Sequence, residues 1–247
     1  MALHPDIAAV LAGDSEGCIV TGDCLAPGFL LDMPDACVDA VVSDIPYGVV
    51  NRDSGGLRNL DKGIADEETF AVDEIAGQSW RLAQSVYVFC GTEQVSELRA
   101  CLVVLGMTTR LCLWEKSNPS PMNGERLWLS SVEACVFGRS PNAYFAERCA
   151  GPVWRGPIAR NQMHRTQKPL WLMSRLVSAS VPAGGIVLDF CAGSGTTCVA
   201  AKKLGRRWIG IEIDEKYAKI ARHRVAGTPR PLFPEPTKGK EPVSSLF

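Results

Sequence analysis

Residues 184–217 read GGIVLDFCAGSGTTCVAAKKLGRRWIGIEIDEKY, and the order of residue types in this stretch decides the fold. An apolar strand, Ile186 to Phe190, runs into Ala192-Gly193-Ser194-Gly195-Thr196, and a helix follows to Leu204. A second strand, Trp208 to Ile213, carries Glu212 near its end. Glycines in a strand-to-helix turn let the backbone approach a ligand closely, and an acid at the end of the next strand can accept from both hydroxyls of a ribose. The dinucleotide fingerprint G-x-G-x-x-G requires a third glycine where Cys198 stands, and no Gly-Lys-Ser/Thr follows for a P-loop. The turn therefore suits a nucleoside without a bound pyrophosphate, such as S-adenosylmethionine, with a relaxed nicotinamide-dinucleotide site as the alternative.

Outward from this turn, short β-rich runs alternate with helical patterns. Strands are predicted near 38–43, 86–90, 108–114, 132–137, 186–190 and 207–213, and helices over 66–84, 93–105, 169–180, 196–204 and 214–225. The alternation predicts an α/β fold, a doubly wound, mostly parallel sheet with helices on both faces. At 247 residues one large domain over 1–226 is the expectation. Two segments do not fit the alternation. Residues 48–65, Gly-rich and polar, read as a mobile loop, and residues 139–163, with Pro, Gly and Arg but little periodicity, as an insertion; loops of this length are usually functional or disordered. From Gly227 the chain holds five prolines and reads as an unpacked tail.

Net charge is −1, but it is unevenly spread: residues 1–100 hold 5 Lys/Arg against 17 Asp/Glu, and residues 101–247 hold 21 against 10. From Arg148 to Leu188 there is no acid, and Arg148, Arg155, Arg160, Arg165, Lys168 and Arg175 fall inside that stretch. Solvated helix faces could carry any one of these; the block as a whole suits a polyanion. Ten scattered cysteines, with no C-x-x-C pair and mostly in apolar runs, read as free thiols of a reducing cytoplasm, with neither disulfides nor a metal site. No basic-then-apolar leader and no run of bilayer length are seen, so a cytoplasmic protein without membrane segments is expected.

With a cofactor turn in hand, Asp44-Ile45-Pro46-Tyr47, at the end of the apolar run from Val38, acquires a chemical reading. Asp and Pro would suit a plain turn. The exocyclic amine of adenine or cytosine is a poor nucleophile because its lone pair is delocalised into the ring, and methylating it calls for acceptors for both N–H groups. The Asp44 carboxylate is one acceptor and the Ile45 carbonyl, held extended by Pro46, the other, while Tyr47 would stack on a base flipped out of the duplex.

These residues resemble the β class of DNA amino-methyltransferases. VTGDCLAPGFLLDMPDACVDAVVSDIPYG (20–48) is similar to that family's start, VYVFCGTEQ, LCLWEKSNPSP and EACVFGRS to its middle blocks, and HRTQKPLWLMSRLV (164–177) to the segment before the cofactor strand. The likeness spans about residues 19–225, with the catalytic motif first and the glycine turn last. It implies a Rossmann-like methyltransferase fold with S-adenosylmethionine as cofactor and double-stranded DNA as partner. It further implies that Asp44, Ile45, Pro46 and Tyr47 are catalytic. The cofactor would lie along Asp189, Phe190, Cys191, Ala192, Gly193, Ser194, Gly195 and Thr196, with Glu212 and Ile213 at the ribose. Asp23, beside Cys24, would meet the adenine amine, and Thr166 and Lys168 would lie near the methionine end. Arg148, Arg155, Arg160 and Arg165 are the expected DNA contacts.

Ile45 departs from the commoner proline of the motif, which leaves its carbonyl in place. An acid-first tetrapeptide resembles adenine-N6 enzymes more than cytosine-N4 enzymes, which more often begin with Ser; cytosine-N4 is the alternative, and an oxidoreductase or an inactive DNA-binding protein are further ones. The segment 139–163 is short for reading a DNA site, so a homodimer is expected. The chain ends in Val243-Ser244-Ser245-Leu246-Phe247; the apolar tip resembles motifs that dock on a replication sliding clamp, against the plainer reading of a flexible terminus.

Overall fold

The computed structural model of the chain describes residues 2–47, 71–121, 124–159 and 167–231. The loop expected at 48–65 and the clamp-docking tip lie outside these residues, as do Arg160, Arg165 and Thr166.

In chain order the elements are α1 (Pro5–Ala12), β1 (Gly17–Thr21), a 3-10 turn (Leu30–Asp32), β2 (Val38–Asp44), α2 (Val72–Leu82), β3 (Ala83–Cys90), α3 (Val95–Val104), β4 (Thr108–Lys116), β5 (Val132–Arg139), β6 (Val153–Gly156), α4 (Leu170–Ser180), β7 (Ile186–Asp189), α5 (Thr196–Lys203), β8 (Arg207–Glu212) and α6 (Glu215–Ala226). The strands make one sheet in the order β1-β8-β7-β2-β3-β5-β4-β6. Neighbours are parallel except that β5 runs antiparallel to both β3 and β4.

Strand side chains alternate between two cores. Val86, Val88 and Cys90 of β3 face one way, with Ile7 and Val10 of α1, Ile75 and Leu82 of α2, and Leu98 and Leu102 of α3. Tyr87 and Phe89 face the other way, with Leu172 and Leu176 of α4, Val199 of α5 and Ala221 of α6. Three helices on each face is the doubly wound arrangement, and truncating a fully buried leucine such as Leu172 costs about 2–5 kcal/mol. From β2 the chain moves through α2 to β3 on one side, and from β7 through α5 to β8 on the other. The order reverses between β2 and β7, and ligands of such sheets bind at the carboxyl ends of the strands there.

The insertion at 139–163 carries regular structure: its Val153–Gly156 is the edge strand β6, parallel to β4. Gly156 matters here because a Cβ on it would meet the Trp171 ring at 2.3 Å; the bare backbone lets the first turn of α4 pack on β6. Trp171 donates its indole N–H to the Pro157 carbonyl at 3.0 Å. Among the described residues no helix is long and apolar enough to cross a membrane. All ten cysteines are free. Nine are buried or half-buried, and Cys149 departs from the expected burial by standing exposed.

Candidate functional site

β2 delivers Asp44 to the carboxyl end of the sheet at the reversal point. The next residue continues the strand pairing, since the Ile45 N–H donates to the Phe89 carbonyl at 3.1 Å and its side chain is buried. The Pro46 carbonyl accepts from the Gln94 side-chain amide at 3.2 Å, and the Gln94 oxygen accepts the Gly91 N–H at 2.9 Å. The tetrapeptide is thus fixed from α3's entry as well as from β3.

Asp44 has a side-chain donor on each oxygen. The Tyr47 hydroxyl donates to Oδ1 at 2.8 Å, and Lys168 Nζ donates to Oδ2 at 2.5 Å. The same ammonium lies 3.0 Å from Glu133 Oε2, and Glu133 Oε1 is 2.7 Å from Lys116 Nζ. Two acids and two ammonium groups therefore alternate along one row from β2 through Lys168 to the open end of the β4–β5 pair. Lys168, 7 % exposed, also stands over the rings of Phe89 and Tyr47, 5.0 and 5.6 Å from their centres.

Burial pushes the Asp44 carboxyl above the usual carboxylate range, and Lys168 opposes it. Desolvation acts to lower the Lys168 pKa, but Asp44 and Glu133 outweigh it and hold the ammonium charged. Glu133 is desolvated too, yet Lys168 and Lys116 bring it below the usual range. The Tyr47 phenol is pushed up by burial and by Asp44, so it is a hydrogen-bond donor here and not a base.

Across the reversal point Ser43 ties β2 to β7: its hydroxyl donates to Asp189 Oδ1 at 2.9 Å and accepts the Cys191 N–H at 3.1 Å. Burial pushes the Asp189 carboxyl up to about 6. Phe190 and Ala192 are buried, and the Ala192 N–H donates to the Ile211 carbonyl at 2.9 Å.

Gly193 and Gly195 both take positive φ, +52° and +74°. A Cβ at Gly195 would strike the Ala221 Cβ at 2.8 Å, whereas one at Gly193 would meet nothing within 4 Å, so the turn is open toward a ligand at Gly193. Glu212, 5 % exposed, accepts the Gly193 N–H on Oε2 at 2.6 Å and the Asp214 N–H on Oε1 at 2.9 Å. A carboxylate has roughly four lone-pair sites, so two remain for a ribose diol. Burial raises its pKa, with the backbone N–H groups of Asp214, Gly193 and Ile213 acting the other way. The third glycine of the dinucleotide pattern has an equivalent on the opposite partner: a Cβ at Gly210 of β8 would meet the Cys198 Sγ at 2.9 Å, so the strand, not the helix, gives up the side chain for close packing.

Asp23 comes beside this acid because Thr21 of β1 is in register with Glu212 and the Gly22 N–H donates to the Glu212 carbonyl at 2.9 Å. Its carboxylate is exposed and caps the Leu25 N–H at 2.9 Å, with Cys24 buried behind it. Ser194 is held by Arg224, which donates to its carbonyl, to its hydroxyl at 2.8 Å and to the Thr196 hydroxyl at 3.2 Å. The Ser194 hydroxyl in turn donates to Gln167 at 3.3 Å, linking the glycine turn to the residue before Lys168. Ile213 is half-buried at the end of β8. Asp23, Glu212 and the turn thus lie at the carboxyl end of the sheet, on the β1-β8-β7 run of strands next to β2, which carries Asp44.

The arginines divide. Arg148 and Arg155 are exposed, and Arg155 lies 3.4 Å from Glu115. Arg175 is clasped by Glu147 through bonds of 2.7 to 3.0 Å, so it is not available to a polyanion as the acid-free block suggested. Glu133, Lys116, Gln94, Ser43 and Arg224 were missed in the sequence. Their only sequence signal is position at strand mouths, as in Lys116 and Glu133 flanking the β4–β5 connection.

A family model described as DNA methylase, of the N6/N4 methyltransferase kind, matches residues 114–223. Type II methyltransferase M2.DpnII of Streptococcus pneumoniae is 31 % identical over 229 residues, covering 80 % of this chain and 85 % of its own length. Among solved structures, the complex of M1.HpyAVI with SAM aligns with a TM-score of 0.66 at 25 % identity, over 84 % of this chain and 99 % of the other. The cytosine-N4-specific PvuII DNA methyltransferase aligns at 0.67 over 85 % and 86 %, but at 16 % identity it speaks for the fold alone.

Proposed function

The chain belongs to the N6/N4, or β-class, family of DNA methyltransferases, and from that premise we propose that it methylates the exocyclic N6 of adenine in double-stranded DNA with S-adenosylmethionine as donor. The observation that carries the reading is the Asp44 carboxylate at the sheet's reversal point, at the same end of the sheet as the open Gly193 turn and Glu212. Nicotinamide chemistry leaves Asp44 to Tyr47 without a task.

S-adenosylmethionine, when bound, supplies an electrophilic methyl group on a sulfonium. Glu212 has free lone pairs for its ribose hydroxyls, Asp23 an exposed carboxylate for its adenine amine, and Gly193 the space for close backbone approach. Thr166, outside the described residues, would lie near its methionine end, as the family resemblance implies.

On the base side, the incoming amine donates one N–H to Asp44 and the other to the Ile45 carbonyl, drawing the lone pair out of the ring. Each Asp44 oxygen keeps a lone pair for the amine, as in Glu212, but a nitrogen turning cationic beside the Lys168 ammonium is repelled, so one donor must yield. Lys168 is the group that can, because Glu133 at 3.0 Å still holds it when it leaves Asp44. We therefore assign Lys168 to the base side, as the cation that occupies Asp44 until the amine replaces it. As methylation makes the nitrogen cationic, Asp44 stabilises the charge and accepts the proton that is shed. Tyr47 stacks on the flipped base.

Arg148 and Arg155 would meet phosphates, joined by Arg160 and Arg165, with a second subunit extending the short recognition segment. The Type II designation of its relative supports a restriction–modification setting. Base-modification sequencing of DNA from cells expressing the protein, beside Asp44→Ala, tests the reading. N6-methyladenine in one sequence context, absent from the variant, is expected; N4-methylcytosine would overturn the base, and unmodified DNA the activity.

A further inference from the structure

The connection from β4 to β5 carries the most exposed large apolar side chain among the described residues. Trp128 is 100 % exposed, beside Leu127 at 69 %. Water around a bare indole is costly, and exposed apolar groups of this size commonly mark a contact with a partner.

The location names the partner. Register aligns Asp44 with Phe89, Phe89 with Cys135, and Cys135 with Cys112. Trp114 and Glu133 lie two residues farther toward the carboxyl end, so at about 3.3 Å per residue the 117–131 connection rises beyond the level of Asp44 on the same side of the sheet. Its two stems are Lys116 and Glu133, and Glu133 reaches Asp44 through Lys168. The connection and Asp44 therefore share the end of the sheet at which a base would be presented.

The tip is also held in shape. Lys116 receives the chain back through its N–H to the Ser131 carbonyl at 2.7 Å and its Nζ to the Ser130 carbonyl at 3.3 Å. The Gly124 N–H donates to the Pro121 carbonyl at 3.0 Å, and a Cβ at Gly124 would strike the Leu129 side chain at 2.9 Å, so Leu129 folds back onto the turn while Trp128 projects. Exposed Arg126 lines the same surface as Trp128, and exposed Arg155 lies on the neighbouring β6, where Glu115 is 3.4 Å away.

Resting on the DNA-methylation reading above, we propose that Trp128 is a wedge: it enters the base stack of the duplex beside the target and fills the space the flipped base vacates, with Arg126 on the adjoining phosphate. Proteins that unstack a base insert apolar side chains of this kind, and a ring carried on a connection at the carboxyl end of the sheet, the end that holds Asp44, is on the side where it could do so.

The test uses full-length protein and duplexes carrying the site found by base-modification sequencing, either intact or with the base opposite the target replaced by an abasic residue. Trp128→Ala should reduce single-turnover methylation of the intact duplex by about ten- to hundredfold, the scale of one lost base–aromatic stack. Most of that loss should return on the abasic duplex, where the target is already unpaired. The variant's thermal midpoint should match the parent's because the ring is fully exposed. Parental rate on the intact duplex, or an equal loss on both, would overturn the wedge while leaving methylation standing. A parent protein that methylates neither duplex overturns both readings. If Trp128→Ala turns a dimer into a monomer in light scattering without DNA, the ring belongs to a subunit interface and the wedge is wrong.

Discussion

Asp44 and Glu212 end strands of the same sheet, both largely withdrawn from water, yet they are satisfied in opposite ways. Glu212 is held by backbone N–H groups, those of Gly193 in the glycine turn and Asp214 after β8 among them, which no side-chain motion can release. Asp44 is held by side chains, a phenol and an ammonium, each able to swing away. Backbone donors make a permanent cradle with lone pairs to spare, which suits a cofactor that binds the same way at every turnover. Side-chain donors make an occupied site that a substrate must open. Lys168 can be released cheaply because Glu133 remains beside it; without a second anion, leaving Asp44 would strand a buried charge.

Asp44→Ala should break the comparison most visibly: methyl transfer falls by about 10²–10³ or more, while calorimetric affinity for S-adenosylmethionine stays within about twofold. A variant transferring methyl at the parental rate would refute the acceptor role.

Asp189, between the two acids, carries the next largest effect. Its carboxyl titrates near 6 when folded and near 3.9 when unfolded, so over that interval the folded state binds the extra proton. Its contribution to stability is therefore greatest below about pH 4, declines as pH rises to 6 and is flat above, by at most about 3 kcal/mol. Asp189→Asn keeps an oxygen for Ser43 and should remove this slope, measured as the difference between urea unfolding curves of parent and variant from pH 4 to 7.

Glu212→Ala should raise the cofactor dissociation constant by about ten- to hundredfold, as expected for losing hydrogen bonds to a charged acceptor, with transfer recovered at saturating cofactor. Unchanged affinity would remove the cradle from the comparison.

Glu133→Gln should have the smallest effect and the sharpest one. Lys168 loses one of the two anions that raise its pKa, so the alkaline limb of the transfer rate moves to lower pH and the rate at neutral pH falls by about tenfold. A pH profile superimposable on the parent's would mean Glu133 only packs.

Much of this was legible in the chain. β2, β7 and β8 were found because apolar runs end in chemistry, and the six strands and five helices expected all exist. α2 begins at Val72 where the pattern suggested 66, the intervening residues lying outside those described. What escaped was short or at an edge: α1 has eight residues, β1 has five with only Ile19 and Val20 buried, and β6 has four. Such segments take their form from a neighbour, Trp208 for Gly17 of β1 and Trp171 for Gly156 of β6, and carry little pattern of their own. The site divides likewise. Asp44, Gly193 and Glu212 announce themselves by residue type at a strand end, whereas the Lys168–Glu133 contact exists only because β5 turns back antiparallel between β3 and β4.

The thiols offer a practical opening. Burial lifts Cys18, Cys90 and Cys112 to about 12 and Cys37 to about 11, and pushes Cys135, Cys191 and Cys198 well above the ordinary thiol range, so at neutral pH these sulfurs stay protonated and poorly nucleophilic. Cys149 alone stands exposed, next to Arg148, with half-buried Cys101 its nearest competitor for reagent. A maleimide fluorophore would therefore attach at one chosen point of the unaltered sequence, on the segment expected to meet DNA, and report its engagement without a single engineered residue.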